Sequence, residues 1–563
     1  MTSLIKKIKK GKPYYYAVES ARVEGKPRIV WQKYLGTLDA IVKRSDATQP
    51  QPPREALLFE AGGSAALLRI TQRLGLLELI NDVVSKRDQG LSMGHYIVLA
   101  ALNRALDPCS KSAIGGWYEQ SILKRLWRFP RSAFSSQRFW DHMDRITPDQ
   151  ISRIEEELLP RILRQFRVDS EVLLYDTTNF FTFLASSNDR AVLPQRGHSK
   201  AKRHDLRQIG LALLVTREFQ IPLLHRVYEG NIPDVTLFPE ISRELVGRYG
   251  RFSGNTPQAT LIFDKGNVSE DAMEDLVVSG ARFVAALSAN RLSEALEIPL
   301  DQYQSIPAMP GTRAVSAVMP YWGKSCQVVV SYSESFFTQQ LSGVTQHMVK
   351  CQGKLSDLQQ RLDKWQNGKA KGRKPPTLKS VQSEVKKILA SQFMNTIFNV
   401  EVQEQQGLPV LNYSVDHGAL QTLAEQRLGK TILITDHLDW TSARVIEAYR
   451  NLSGIEQSFK HMKNVRFLRW QPAYHWTDQK LRVHAFYCVL ALLVSSLAHK
   501  EVRQADFQIS LPSLLKELTS IRQVALLYPP GSGAKSHITL SRMSPRQKKL
   551  SELLHVHTLL AEG

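Results

Sequence analysis

Two hydrophobic rhythms divide this chain. The stretches Tyr14-Tyr-Tyr-Ala-Val-Glu-Ser-Ala-Arg22 and Arg28-Ile-Val-Trp-Gln-Lys-Tyr-Leu35 alternate around Glu24-Gly25-Lys26, which predicts a β-hairpin. Gln49-Pro-Gln-Pro-Pro53 reads as a linker. From about Ala56 to Phe166 apolar residues recur at spacings of three and four, as at Leu67, Ile70, Leu74 and Leu77, so this stretch is expected to be helical. From Val168 the rhythm changes. Val172-Leu-Leu-Tyr-Asp176 and Ala259-Thr-Leu-Ile-Phe-Asp264 are short apolar runs that each end in a carboxylate. Between them, Gln208–Val215 and Ile221–Tyr228 flank a polar turn and predict a second hairpin. A helix over about Ser269–Ser279, with Asn267 and Glu270 as a capping box, and a strand over Ala281–Leu287 complete a mixed α/β sheet.

Residues 291–429 interrupt that sheet. They begin with β-like runs at Ala314–Val318 and Cys326–Tyr332 and continue as two polar amphipathic helices, about 340–366 and 377–391. Lys369-Ala-Lys-Gly-Arg-Lys-Pro-Pro376 joins the helices, either as the charged tip of a solvated hairpin or as a basic contact loop. Thr431–Ile434 predicts one more strand, Ser442–Lys463 a helix, and 484–498 an apolar helix. The expected units are therefore 1–50, 51–166, 167–290, 291–429, 430–500 and a C-terminal region 501–563.

Composition narrows the class. With 43% hydrophobic and 23% charged residues over 563 positions, the chain is neither fibrous nor mostly disordered, and it is long enough for several subdomains. The formal charge of +21 points to a polyanionic partner, nucleic acid first. Residues 1–50 alone carry 11 Lys/Arg against 4 Asp/Glu. Cys109, Cys326, Cys351 and Cys488 form no C-x-x-C pair, which gives a thiolate zinc site no support and suits a reducing, cytoplasmic setting. The apolar run Ala485–Ala498 is expected to be too short to cross a bilayer.

Candidate chemistry follows from the carboxylates. Asp176 and Asp264 close two strands of one sheet; a single such residue is more often a cap or an ion-pair partner, but two on one sheet say more. The helix after Thr441 supplies a third acid. Tyr449, Glu456 and Lys463 are spaced by seven, about 700° of helical rotation, so they form one stripe. A packed tyrosine with a surface Glu–Lys pair would look the same. Three hard oxygen ligands suit Mg²⁺ or Mn²⁺, and two such ions suit in-line phosphoryl displacement. Basic clusters flank the acids: Arg190, Arg196, Lys200, Lys202, Arg203 and Arg207 on one side, Lys460, Lys463, Arg466 and Arg469 on the other. Such clusters bind a phosphodiester backbone without reading sequence.

At these residues the sequence resembles the bacterial insertion-sequence DDE transposases of the insertion-sequence-four superfamily. The likeness runs through Leu174-Tyr-Asp-Thr-Thr-Asn-Phe180, Gly197-His-Ser-Lys200, Gly230-Asn-Ile-Pro-Asp234, Phe263-Asp-Lys-Gly-Asn267, Tyr449–Lys463 and Pro472-Ala-Tyr-His-Trp476. Tyr34-Leu-Gly36 and Asn103–Lys111 resemble it too. The resemblance implies an RNase H-like core split by an insertion domain, a metal-binding catalytic triad of Asp176, Asp264 and Glu456, and DNA contacts from Tyr449, Lys460, Lys463, Lys200 and Arg203. It implies end cleavage and strand transfer on double-stranded DNA, by a homodimer bridging terminal inverted repeats and target, in a bacterial cytoplasm. The family's signature helix carries an arginine where this chain has Leu452, and Arg450 points about 160° away from that position. Two other readings stay open: a transposase-derived DNA-binding protein that does not cut, and an RNase H-like nuclease without strand transfer. Trp322 and Trp365 are aromatic candidates for base stacking, His461 and His484 lie near the active helix, and Asp436 and Asp439 are expected to cap it.

Overall fold

The computed structural model describes residues 2–23, 25–46, 52–85, 90–185, 187–197, 203–252, 259–370, 374–471, 473–529 and 535–562. The N-terminal arm is a three-stranded antiparallel meander, β1 (Thr2–Lys9), β2 (Lys12–Val23) and β3 (Lys26–Gly36), so the predicted hairpin gains a strand. Hydropathy did not mark β1 because three of its eight residues are lysines. They are tolerated because an edge strand carries charge readily, and Lys7 lies over an aromatic ring, its Nζ 4.9 Å from the Tyr16 centroid. Gly25 turns β2 into β3 at φ +76°, a left-handed conformation that glycine adopts without cost.

Strand β4 (Glu55–Glu60) stands where the periodicity predicts the start of helix; the helices begin at Gly62–Leu74. The main sheet follows. Strands β5 (Val172–Thr182), β6 (Arg207–Thr216) and β7 (Pro222–Glu229) form an antiparallel meander. Helix Asp234–Phe252 comes next; hydropathy missed it because Pro239 and Gly247 interrupt a helical spacing that nevertheless buries Phe238, Ile241, Leu245 and Tyr249. Strands β8 (Thr260–Phe263) and β9 (Arg282–Leu287) extend the sheet in parallel from β5. Between them, helix Glu270–Ser279 is capped by Ser269, whose hydroxyl accepts the Ala272 N–H at 3.2 Å, and not by the expected Asn267–Glu270 box.

The interruption is shorter than the hydropathy pattern implies. Strands β10 (Gln304–Ser305), β11 (Thr312–Tyr321) and β12 (Lys324–Ser333) pair onto the main sheet instead of leaving it. What stands outside runs from Glu334 to Gly429. It comprises a 33-residue helix Glu334–Gln366, helix Leu378–Ile388, the hairpin β13 (Phe398–Gln405)–β14 (Leu408–Val415) and helix His417–Gln426. These share a separate core of Cys351, Leu355, Leu358, Leu362, Val381 and Ile397. Strand β15 (Lys430–Thr435) then returns between β12 and β9. The nine-stranded mixed sheet runs β10-β11-β12-β15-β9-β8-β5-β6-β7. Pairing partners up to 150 residues apart leave no local trace, which is why β11 and β12 read as part of the insertion.

The C-terminal region closes the helical part. Strand β16 (Arg522–Leu527) pairs with β17 (His537–Leu540) and with β4. Helix Asp478–Gln504 has 27 residues and is long and apolar enough for a membrane by length and composition, contrary to the expected 14-residue run. Its apolar window is 94% buried in the protein, so it serves as the axis against which helices Gly62–Leu74 and Met93–Leu106 pack. At the head of helix Gly62–Leu74, the buried Glu60 carboxylate accepts the Gly63 N–H at 2.8 Å and the Ser64 N–H at 3.2 Å. Replacing Glu60 by Ala leaves those donors buried and unpaired, so chemical denaturation is expected to show a loss of about 2 kcal/mol.

Candidate active site

The two strand-end aspartates meet because of strand lengths. β5 and β8 are parallel and in register at Val172–Thr260, Leu173–Leu261 and Leu174–Ile262. Two residues further along each strand stand Asp176 and Asp264. β8 stops at Phe263, so β5 loses its neighbour there, and its burial changes from complete over Val172–Tyr175 to partial over Asp176–Asn179. A carboxylate can occupy that opening without being sealed from water.

The third acid arrives from the far side of the chain. The helix predicted as continuous over 442–463 is two helices, Ser442–Arg450 and Leu452–Met462, meeting at Asn451. Asn451 keeps right-handed dihedrals (φ −64°, ψ −15°), so the heptad stripe survives the break. Tyr449 donates its hydroxyl to Asp264 Oδ1 at 2.8 Å, and Lys463 Nζ donates to Thr178 Oγ1 at 2.6 Å. Glu456 lies between them on the exposed face, with Lys460 Nζ 4.0 Å away. Leu452 is buried, and Arg450 turns away to donate to Thr312 Oγ1 at 2.9 Å.

Electrostatics ties the acids together. The Asp176 carboxyl is pushed up to about 7, first by burial; the Thr177 N–H at 2.8 Å opposes this, and the charges of Glu456, Asp264 and Asp234 add to it. Asp234 is a fourth acid, which the sequence offered only as the end of the Gly230–Asp234 motif. It accepts the Tyr228 hydroxyl at 2.7 Å. Tyr228 lies flat across Gly210 in the β6–β7 pair, where a Cβ would come within 2.1 Å of its ring; Gly210 therefore makes room for the tyrosine that holds Asp234.

The donor chemistry fits a hard divalent cation: all four groups are carboxylates, and their mutual repulsion at Asp176 is what such a cation relieves. With Asp264 engaged by Tyr449 and Glu456 turned outward, no group of three or more His, Cys, Asp or Glu side chains among the described residues closes to metal-binding distance. Beside the acids lies a cavity of about 490 Å³, walled by Thr177–Phe181, the turn Gly230–Asp234, Lys463 and Arg469–Gln471. Its floor includes Trp470 stacked on Phe180 at 4.4 Å. The aspartates predicted from sequence flank this cavity without lining it.

No family model matches the sequence, and no curated protein matches it. Among solved structures, the chain is similar to a piggyBac transposase. That structure is a cryo-EM synaptic complex with hairpin DNA, and the match has a TM-score of 0.34 and 9% identity, covering 81% of this chain and 79% of that one. So loose a likeness decides nothing about fold or chemistry.

The remaining sequence candidates divide. Lys460 is exposed and available to solvent beside Glu456. Arg203 is exposed but forms a two-pronged pair with Asp205, at 2.8 and 2.7 Å. Lys200 lies outside the described residues, as do His198 and Lys202. Asp436 does not cap the following helix: it accepts the Phe283 N–H at 3.0 Å and steadies β9, while Thr441 is the cap. Trp322 packs against Phe283 and Tyr321, and His484 is buried against Trp470.

The raised carboxyl of Asp176 has a measurable consequence. The folded chain binds this proton more tightly than the unfolded one, so the stabilisation that this one group contributes is full below about pH 4 and is lost as pH rises through about 7. Asp176→Asn removes that penalty. Thermal melts without divalent metal are expected to show the variant gaining stability over wild type between pH 4.5 and 8, on the order of 2 kcal/mol at pH 8. A variant less stable at pH 8 would mark Asp176 as a structural anchor instead.

Proposed function

We propose that this protein is a DDE-type DNA transposase with an RNase H-like core. The observation that carries the reading is the convergence of Asp264, Glu456 and Asp234 on the half-buried Asp176, from segments up to 280 residues apart. Repelling carboxylates gathered at the open edge of a sheet are costly unless a cation is part of the design. The strand arrangement agrees: a three-strand antiparallel meander whose first strand also pairs in parallel with β8, and β8 with β9.

In this reading Asp176, Asp264 and Glu456 hold Mg²⁺ or Mn²⁺, two ions in all. Bound there, the ions supply a water nucleophile and neutralise charge on the reacting phosphate. The chain's own groups do the rest. Tyr449 fixes the rotamer of Asp264 through its hydroxyl. Lys463, held over the Phe180 ring at 5.2 Å and bonded to Thr178, places a positive charge at the cavity wall. Lys460, Arg466 and Arg469 offer further phosphate contacts. The substrate is double-stranded DNA, namely terminal inverted repeats and a target, joined by a homodimer in the bacterial cytoplasm.

A second reading, a DNA-binding protein that does not cut, draws on two observations: Leu452 is buried where the resembling family carries arginine, and the acids do not close to metal-binding distance. An Asp264→Ala chain separates the two. The transposase reading expects Mg²⁺-dependent cleavage of end-bearing DNA to fall at least about 100-fold with DNA binding retained, and Mn²⁺ to raise the melting temperature of wild type but not of the variant. Wild type that never cuts, and that Mn²⁺ does not stabilise, would favour the binding protein. Joining of pre-cut ends separates a transposase from a nuclease without strand transfer.

A further inference from the structure

A second cavity, of about 180 Å³, lies between the loop that follows helix Met93–Leu106, the start of helix Ser136–Met143 and residues 474–475. Arg104, Ser110, Lys111, Ser112, Tyr474 and His475 wall it. Its charge is one-sided. Arg104 is 1% exposed and Lys111 6%, yet neither faces a carboxylate. Arg104 donates to the carbonyls of Cys109 and Gln471, both at 2.9 Å, and of Arg469, and its Nε is left without a partner. Lys111 Nζ has no hydrogen-bond partner among the described residues and rests over the Tyr487 ring at 4.2 Å.

Burial first, and then the charge of Arg104, hold the Lys111 amine well below its ordinary range, with only Cys488 and Cys109 acting the other way, so an anion seated beside it would restore the ammonium. The charges acting on His475 are Lys111, Arg104 and Lys480, and Lys480 is itself held by Asp144 at 2.6 Å. An ammonium buried without an anion costs several kcal/mol on general grounds. A neighbouring carboxylate is the usual remedy, and among the described residues none pairs with it. Instead the wall carries hydroxyls: Ser110 and Ser112, whose oxygens lie 2.8 Å apart, and Ser136. Two buried cations, serine donors and no acid form a receptor for an oxyanion.

We propose that this cavity binds a phosphate group, with Lys111 and Arg104 supplying the charge and Ser110 and Ser112 the neutral donors. The geometry also points outward from the cavity. Tyr474 is 59% exposed, and with Trp140 it presents aromatic surface at the wall, which suits a phosphate attached to a nucleotide. Arg104 grips the carbonyls of Arg469 and Gln471, and those residues wall the larger cavity beside the acids. A phosphate seated at Lys111 therefore lies on the same Arg469–His475 segment as the candidate active site. The assignment does not require the acids to cut DNA.

The test uses the full chain and inorganic phosphate as probe. Phosphate is expected to raise the melting temperature of wild type at constant ionic strength, with chloride as the reference salt. Lys111→Met is expected to be at least as stable as wild type without phosphate, because it removes an unpaired buried charge, and to lose the phosphate response. Ser112→Ala, an exposed and milder change, is expected to weaken phosphate binding without altering the fold. A second arm titrates a duplex oligonucleotide against wild type, Lys111→Met and Asp264→Ala. If the DNA backbone is the source of the phosphate, Lys111→Met weakens DNA binding about tenfold and inorganic phosphate competes. If free phosphate is the source, phosphate binds and DNA affinity is unchanged; both results support the site. Asp264→Ala retains phosphate binding in either case, which separates this site from the cleavage reading. Equal phosphate responses in wild type and Lys111→Met, or none in wild type, would overturn the assignment and leave Lys111 a structural lysine.

Discussion

The parallel pairing of a long strand with a very short one organises the centre of this molecule. β8 has four residues against the eleven of β5, and in-register pairing ends just before an aspartate on each strand. Had β8 continued, Asp176 would be enclosed between two strands at a desolvation cost that its backbone hydrogen bond could not offset. Had it stopped earlier, Asp264 would lie away from β5. The early end leaves an edge inside the sheet where two carboxylates share one opening, and the other elements are disposed around it. The β6–β7 hairpin brings Tyr228 and Asp234 to one side, and helices Ser442–Arg450 and Leu452–Met462 bring Tyr449, Glu456 and Lys463 across the top.

The second notable feature is how charge is distributed between the surface and the interior. The excess of +21 is mostly solvated, as on the lysines of β1, and there it costs little. Of the cations buried among the described residues, Arg104 and Lys111 lie beside the segment that also walls the main cavity. The acids at the open edge of the main sheet, partly buried at Asp176 and Asp264, repel one another in the opposite sense. Glu155, by contrast, is a buried acid that is fully matched, by His225 and by Arg248 at 2.8 Å. The contrast matters because a matched buried pair is ordinary architecture, whereas unmatched groups of one sign around a cavity imply a ligand of the other.

Much of the candidate site was legible before the fold. Asp176, Asp264 and Glu456 stood out because each ends an apolar run or lies on a heptad stripe, and those are local properties. Asp234 did not, because its partner Tyr228 and the Gly210 that accommodates it are linked only through strand pairing. Arg203 was legible as a cation, but not its engagement with Asp205 two residues away. Lys111 belonged to a stretch singled out for its resemblance, yet nothing local marks a lysine as buried without a counter-ion.

The sequence by itself determined the elements whose cause is short-ranged: the alternating hairpin of the arm, the strands β5 to β9 with the β6–β7 hairpin, the amphipathic helices between 334 and 388, and the basic surplus. Side-chain periodicity acts over a few residues and can be read directly. Only the tertiary structure decided that β10, β11 and β12 belong to the main sheet, that β4 pairs with β16 more than 450 residues later, and that the apolar helix Asp478–Gln504 is an internal axis. Those outcomes depend on hydrogen-bond partners and buried faces supplied by distant segments. The energies that select them exist only once the chain has closed on itself.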